Sequence, residues 1–186
     1  MPKLIIIFGI SGVGKTTACK SFIRRSPAFG YISASQFLGK ARNLSVEQLR
    51  HSSEAEVCEN QRLLAEHLPG EMSKSEKKFL LLDAQNVIDN GVDLVQVPMA
   101  VVEKLRPCGI ILLDANAVDL YLRRKNDSSY RPSRAPAELE SQMRFIRTVT
   151  LDYSRALEVP LIIDMVSASF ELDESISKIL QVTDES

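Results

Sequence analysis

Lys3-Leu4-Ile5-Ile6-Ile7-Phe8-Gly9-Ile10-Ser11-Gly12-Val13-Gly14-Lys15-Thr16-Thr17 decides how this chain folds. Leu4–Phe8 is a continuous apolar run, as expected of a strand covered on both faces. Gly9 to Thr16 fits Gly-x-x-x-x-Gly-Lys-[Ser/Thr]. Thr16 to Arg25 can form a helix directly behind it. A strand, this loop and a helix in that order make an anion-binding hollow. The glycines let the backbone turn tightly and aim successive amides inward, and the helix adds its free amides and positive end. Lys15 can reach the β- and γ-phosphates of a nucleotide as a point charge, and the Thr16 hydroxyl can ligate Mg²⁺. The candidate nucleotide-binding residues are therefore Gly9, Ser11, Gly12, Val13, Gly14, Lys15, Thr16 and Thr17.

Working outward, short apolar runs recur at Tyr31–Ser33, Phe79–Leu82, Gly109–Leu113 and Pro160–Ile163. Helical patterns lie between them. Ser45-Val-Glu-Gln48 and Ser53-Glu-Ala-Glu56 read as capping boxes opening two helices, the second ending at Pro69-Gly70. Asn116 can cap a helix from Ala117 to Lys125. Leu139, Met143, Ile146, Thr150, Tyr153 and Leu157 recur at 4-3-4-3-4 spacing, a long amphipathic helix, and Leu172, Ile176, Ile179 and Leu180 repeat the pattern near the carboxyl end. Strands alternating with helices give a parallel sheet with right-handed crossovers. The expectation is one α/β domain over residues 1–186: a P-loop three-layer sandwich, its five-stranded parallel sheet flanked by helices, with a helical insertion at 33–77 and a short lid at 126–136.

Composition sets bounds on function. The chain has 186 residues, 45% of them apolar, enough for one core, with 23 basic against 24 acidic residues. A net charge of −1 argues against nucleic-acid binding by bulk charge, though not against a local basic patch. No apolar run is long enough for a transmembrane helix, and the amino terminus lacks a signal-peptide plan. Cys19, Cys58 and Cys108 lie far apart with no Cys-x-x-Cys or Cys/His pairing, which disfavours disulfides and structural zinc. The expected setting is cytoplasmic. His51 and His67 are isolated, and the acidic end Asp184-Glu-Ser186 reads as solvated. Neither an Asn-Lys-x-Asp guanine signature nor the Leu-Ser-Gly-Gly-Gln of transporter ATPases occurs.

Two runs end in aspartate, Phe79–Asp83 and Ile110–Asp114. An Asp at a strand end faces the crevice where open α/β sheets bind ligands. The Gly9–Thr16 loop resembles that of small P-loop kinases, whose usual strand order sets the strand after the helical insertion beside the first strand; that resemblance points to Asp83 for the metal or acceptor and leaves Asp114 as a strand-end or turn residue. From Arg123 to Arg147, seven basic residues face three acidic ones, and part of this segment, Asn126–Pro136, reads as a polar loop. Guanidinium groups there can clamp phosphates and stabilise charge during phosphoryl transfer.

These residues resemble a nucleoside-monophosphate kinase, most closely the archaeal-type adenylate kinases, over about residues 3–179. Ile32-Ser33-Ala34-Ser35 is similar to the opening of that family's acceptor-binding helix, and Asp83-Ala-Gln-Asn86 to its Asp-Thr-His-Ser segment facing the acceptor. Leu122-Arg123-Arg124-Lys125-Asn126-Asp127 resembles its Arg-Arg-Leu-Asn-Asp run, and Arg131, Arg134, Arg147 and Tyr153 keep its spacing. The resemblance implies transfer of a phosphoryl group from ATP, with Mg²⁺ at Thr16 and Asp83, to a nucleoside monophosphate, AMP favoured. It puts Arg123 on the donor side and Arg134 and Arg147 near the transferred phosphoryl. Catalytic expectations are Lys15, Asp83, Arg134 and Arg147. The chain departs from the ordinary pattern at Gly39, where an acceptor-gripping arginine is absent and Arg42 is the candidate replacement, and at Gln85, where the family has histidine. Two alternatives remain: a kinase of another small acceptor, such as a nucleoside or hydroxylated metabolite with Asp83 as base, and a nucleotide-dependent switch or assembly ATPase that signals to a protein partner.

Overall fold

The computed structural model describes residues 1–127 and 131–184. Its centre is a five-stranded parallel sheet in the order β2-β3-β1-β6-β7, from β1 (Lys3–Gly9), β2 (Phe29–Ser33), β3 (Phe79–Asp83), β6 (Gly109–Asp114) and β7 (Leu161–Met165). The order follows from the runs themselves. β1, β3 and β6 are buried nearly throughout because helices cover both faces, and only chains of Leu, Ile, Val and Phe tolerate that. β3 pairs directly with β1, Ile7 opposite Asp83, so the strand after the helical insertion does neighbour the first strand.

Helix α1 (Lys15–Arg25) follows β1; α2 (Ala34–Arg42), α3 (Val46–Arg50) and α4 (Glu54–Ser73) lie between β2 and β3. Both capping boxes form, at Ser45/Gln48 and Ser53/Glu56. α4 does not stop at Pro69, as the sequence reading expects, but runs on to Ser73. Leu68 and Met72 are both buried one turn apart, and that packing holds the helix across a residue that removes one backbone donor. α6 (Ala117–Lys125) is capped by the Asn116 side chain, and α7 (Pro136–Leu157) and α8 (Asp173–Asp184) complete the layers. Tyr153 on α7 is fully buried, its ring edge-on to Phe8 and its hydroxyl donating to the Val97 carbonyl. Burial holds that phenol up at about 12.

The sequence reading left one region without elements. After β3 the chain makes an antiparallel hairpin, β4 (Val87–Asp89) and β5 (Leu94–Gln96), and then helix α5 (Met99–Leu105). Asn86 roots the hairpin. Its backbone carbonyl accepts from Val97, and its buried side chain donates to the Ile146 carbonyl and the Thr150 hydroxyl of α7. Of the Asp83–Asn86 segment, expected to face an acceptor, Asn86 points instead under α7. Of the lid at 126–136, Ser128, Ser129 and Tyr130 lie outside the described residues, as do Glu185 and Ser186 of the acidic end. Among the described residues no helix is long and apolar enough to cross a membrane.

Candidate functional site

A cavity of about 360 Å³ opens at the carboxyl ends of β1 and β3. Its floor is the loop between β1 and α1. Gly9, Gly12 and Gly14 have φ of 148°, 84° and 112°, where side chains are strained. A Cβ on Gly9 would lie 2.5 Å from the Leu113 carbonyl oxygen, so the loop can leave β1 at this angle only as glycine. Gly14 is the cap residue of α1 and offers no side-chain hydrogen bond, and the first turn of α1 carries no acid. The orphan amides of that helix are thus left for an anion.

Lys15 is buried, and its Nζ donates to the carbonyls of Gly9 at 2.7 Å and Ile10 at 3.2 Å. Burial lowers its pKa, and the Asp83 carboxylate opposes that shift. The Thr16 hydroxyl donates to Asp83 Oδ2 at 2.5 Å, and the Tyr31 hydroxyl to the same oxygen at 3.1 Å. Burial and the neighbouring carboxylate push the Tyr31 phenol up. The pairing of β1 with β3 brings residues 67 positions apart to one point, and Thr16 and Asp83 form one oxygen-donor pair.

The arginines divide differently from the sequence reading. Arg123 donates to the Val13 carbonyl at 2.8 Å. Arg124 donates twice to the Ser11 carbonyl, at 3.0 and 2.7 Å, and Arg131 reaches the Ser11 hydroxyl at 3.3 Å. These three line the cavity together with Arg50 of α3. Arg124 sits among Arg131, Arg134 and Arg50; burial, then the charge of Arg131, lowers its pKa to about 10. Its Nη1 is buried with no hydrogen-bond partner among the described residues. Arg134 and Arg147, expected at the transferred phosphoryl, do not line the cavity. Carboxylates take both. Arg134 forks onto Asp89 at 3.0 and 2.8 Å, and Arg147 bonds Asp114 at the end of β6. Asp114 is a strand-end residue.

The remaining lining comes from the insertion. Leu38, Val46, Leu49 and Val57 supply an apolar surface, with Ile88 from the hairpin. Asn60 and Gln61, both buried on α4, join Gln85 and Gln142 as amides. Gly39 cannot carry the missing arginine, because its Cβ position lies 2.8 Å from the Leu44 carbonyl oxygen. Arg42 does not reach the cavity; its charge acts on Glu56 and Glu59 of α4. Arg50, five residues into the capping box at Ser45, does reach it. Arg50 is the last residue of the five-residue α3, and that short helix carries it to the cavity.

Residues 8–141 match the AAA domain family. The chain belongs to that family. Its AAA domain spans everything from the end of β1 into α7, and so contains the loop, the insertion and the lining arginines. Among solved structures, the crystal structure of shikimate kinase from Bacteroides thetaiotaomicron shares the fold of this AAA domain protein, with a TM-score of 0.58 over 98% of each chain at 17% identity. That is a likeness of fold, a P-loop kinase fold, and not of substrate. No curated protein sequence matches the chain.

Proposed function

We propose that this protein transfers the γ-phosphoryl group of ATP to a nucleoside monophosphate, with AMP the favoured acceptor. One observation carries the reading: a single cavity holds the uncapped start of α1 with Lys15 and, contributed by a separate insertion, an arginine, two buried amides and an aliphatic surface. The first set suits a triphosphate. The second suits a planar base, whose faces want aliphatic contact and whose edge wants amide hydrogen bonds, joined to a phosphate that wants a guanidinium. Arg50, Arg124 and Arg131 line the same cavity and offer guanidinium groups that can meet the phosphates of both sets.

The residues fit a magnesium ion. Thr16 and Asp83 give a hydroxyl and a carboxylate at one point, and Mg²⁺ typically takes one or two protein oxygens and fills its shell with phosphate and water. When bound, it would neutralise charge on the β- and γ-phosphates. The chain's own part is positioning. The loop amides and Lys15 hold the donor, Arg124 and Arg131 meet the charge of the group in flight, and Arg50 orients the acceptor phosphate. No general base is needed, because the acceptor is already an anion, and a loose transition state asks mainly for alignment and charge.

A second reading has its own support. Asp83 is a carboxylate inside the cavity, and such a group can take the proton of an acceptor hydroxyl. An acceptor screen with ATP and Mg²⁺, reading ADP and phosphorylated product together, separates the possibilities. Two ADP formed for each ATP and AMP consumed, dependent on AMP and lost in Lys15→Ala, is the expected result. Product from nucleosides or hydroxylated metabolites instead would transfer the reading to the second acceptor class. ADP without any acceptor product would refute both.

A further inference from the structure

Asp89 has the least exposed carboxylate among the ion pairs of the described residues, its side chain 6% exposed, yet it belongs to a hairpin of two three-residue strands. Arg134 meets it with a two-pronged fork, Nε to Oδ2 at 3.0 Å and Nη2 to Oδ1 at 2.8 Å, and Nη2 also donates to the Gly91 carbonyl at 3.2 Å. The turn is built to receive it. The Gly91 amide donates to Asp89 Oδ1, fixing the carboxylate's rotation, and Asn90 holds the turn through the amides of Val92 and Asp93. Gly91 has φ of 96°, and a Cβ there would come within 3.9 Å of the Pro132 ring. Burial alone would raise the Asp89 carboxyl; the Arg134 fork and the Gly91 amide outweigh it and hold the group below the ordinary carboxylate range.

Three residues before Arg134, Arg131 points the other way, into the cavity, with Nε on the Ser11 hydroxyl and Nη1 on Asp127 at 2.6 Å. The segment from 131 to 134 is therefore fastened at one end to the hairpin and at the other to the phosphate-binding loop. Bidentate guanidinium–carboxylate pairs fix direction as well as distance, and Arg134 cannot swing to a phosphate without leaving a buried carboxylate unpaired.

We infer that Asp89 and Arg134 are positioning residues: the β4–β5 hairpin is the seat of residues 131–134, and their pair sets Arg131 over the phosphates of the substrate. The inference rests on the phosphoryl-transfer reading, and it gives Arg134 a role different from contact with the transferred group. The two roles predict opposite behaviour on removing Asp89. If the pair positions Arg131, neutralising either partner misplaces the same arginine. If Arg134 itself leaves the pair to meet the phosphoryl, removing Asp89 frees it.

The test is a double-variant cycle on the full chain with Asp89→Asn, Arg134→Ala and both together, reading kcat and KM for ATP with AMP, and amide exchange of residues 131–135 without nucleotide. Each single variant should lower kcat about tenfold with KM for ATP changed less than about threefold, and the double variant should fall no further than the worse single. Exchange of 133–135 should rise at least tenfold in all three, while the exchange of β1 and β3 stays unchanged, which keeps a general loss of fold from imitating the result. Unchanged or raised kcat in Asp89→Asn beside a large loss in Arg134→Ala would overturn the inference, and so would losses that multiply in the double variant. Should the wild-type chain phosphorylate no acceptor, the nucleotide-kinase reading falls alone: the exchange cycle, and the same cycle on ATP hydrolysis, still decide whether the pair seats residues 131–134.

Discussion

Replacing Arg124 with glutamine should leave the free protein about as stable as before and strip it of much of its hold on ATP. The guanidinium is kept near 10 instead of 12.5 by burial and by Arg131. Each factor of ten in proton affinity is about 1.4 kcal/mol. The environment therefore opposes this charge by roughly 3 kcal/mol, or about 2 after discounting for the solvent that reaches it. Against that stand two charged hydrogen bonds to the Ser11 carbonyl. Glutamine can keep one of them in neutral form, losing about 1–2 kcal/mol. The two effects nearly cancel, so the melting temperature without ligand should shift by no more than about 4 °C in a chain of this size. With ATP the balance changes. A charged hydrogen bond to a phosphate contributes about 1.5–3 kcal/mol to ground-state binding, so affinity should fall roughly 10- to 150-fold. Thermal melts with and without MgATP, and calorimetric titration of the same samples, read both quantities. A free protein that melts more than about 10 °C lower, with ATP affinity intact, would show Arg124 to be a structural staple of the loop and would refute the reasoning.

Arg131→Ala should cut turnover about 30- to 1000-fold, whereas Arg147→Ala, half-exposed and bound to Asp114, should change it less than about threefold; steady-state rates with Arg24→Ala as a surface control check this, and the reverse order would return Arg147 to the phosphates. The Asp89–Arg134 pair also has a pH signature. Because the folded carboxyl is depressed, its stabilisation is full above the unfolded value of about 3.9 and is lost only as pH falls through the lower folded value. Urea unfolding of wild type and Asp89→Asn should therefore show a constant stability gap from pH 8 to 5 that shrinks below about pH 4, and a gap that closes between pH 7 and 5 would contradict the assignment.

What the sequence reveals and what it hides divide along a physical line. The Gly9–Thr16 loop is encoded locally: its glycines, its lysine and the helix behind it need no distant partner to be recognised. The central strands β1, β3 and β6 are readable because burial on both faces demands unbroken apolar runs, and the half-buried edge strands β2 and β7 by their place between helical patterns. Asp83 is readable too, since a strand-end aspartate needs only the neighbouring strand to meet Thr16. The hairpin is hidden because three residues are too few to display an alternating period, although Asn90-Gly91 between apolar residues is a turn signal that could have found it. The arginines are hidden for a stronger reason. Arg123, Arg124, Arg131, Arg134 and Arg147 are equivalent in type; that Arg134 and Arg147 are drawn away from the cavity is settled by Asp89 and Asp114, brought near by the hairpin and by β6. Pro69 misleads because the rule against helix prolines is local and the packing of Leu68 and Met72 is not.

The free site is organised around borrowed acceptors. Lys15 donates to the carbonyls of Gly9 and Ile10, Arg123 to Val13, and Arg124 to Ser11, all within the loop that would cradle the phosphates. A carbonyl oxygen carries a partial charge and a phosphate oxygen a share of a full one, so exchanging the first for the second strengthens every bond without moving the cations far. The cost of withdrawing those cations from water has been met on folding, as the lowered pKa values of Lys15 and Arg124 record. Part of the stability that a chain without this site would have is thus held as affinity for an anion. The pairs with Asp89 and Asp114 mark the limit of that arrangement: a guanidinium already holding a full carboxylate gains little by trading it for a phosphate. By this argument Lys15, Arg123 and Arg124, resting on carbonyls, are cations that bind, Arg134, its fork filled by Asp89, is one that positions, and Arg131, shared between the Ser11 hydroxyl and Asp127, stands between the two.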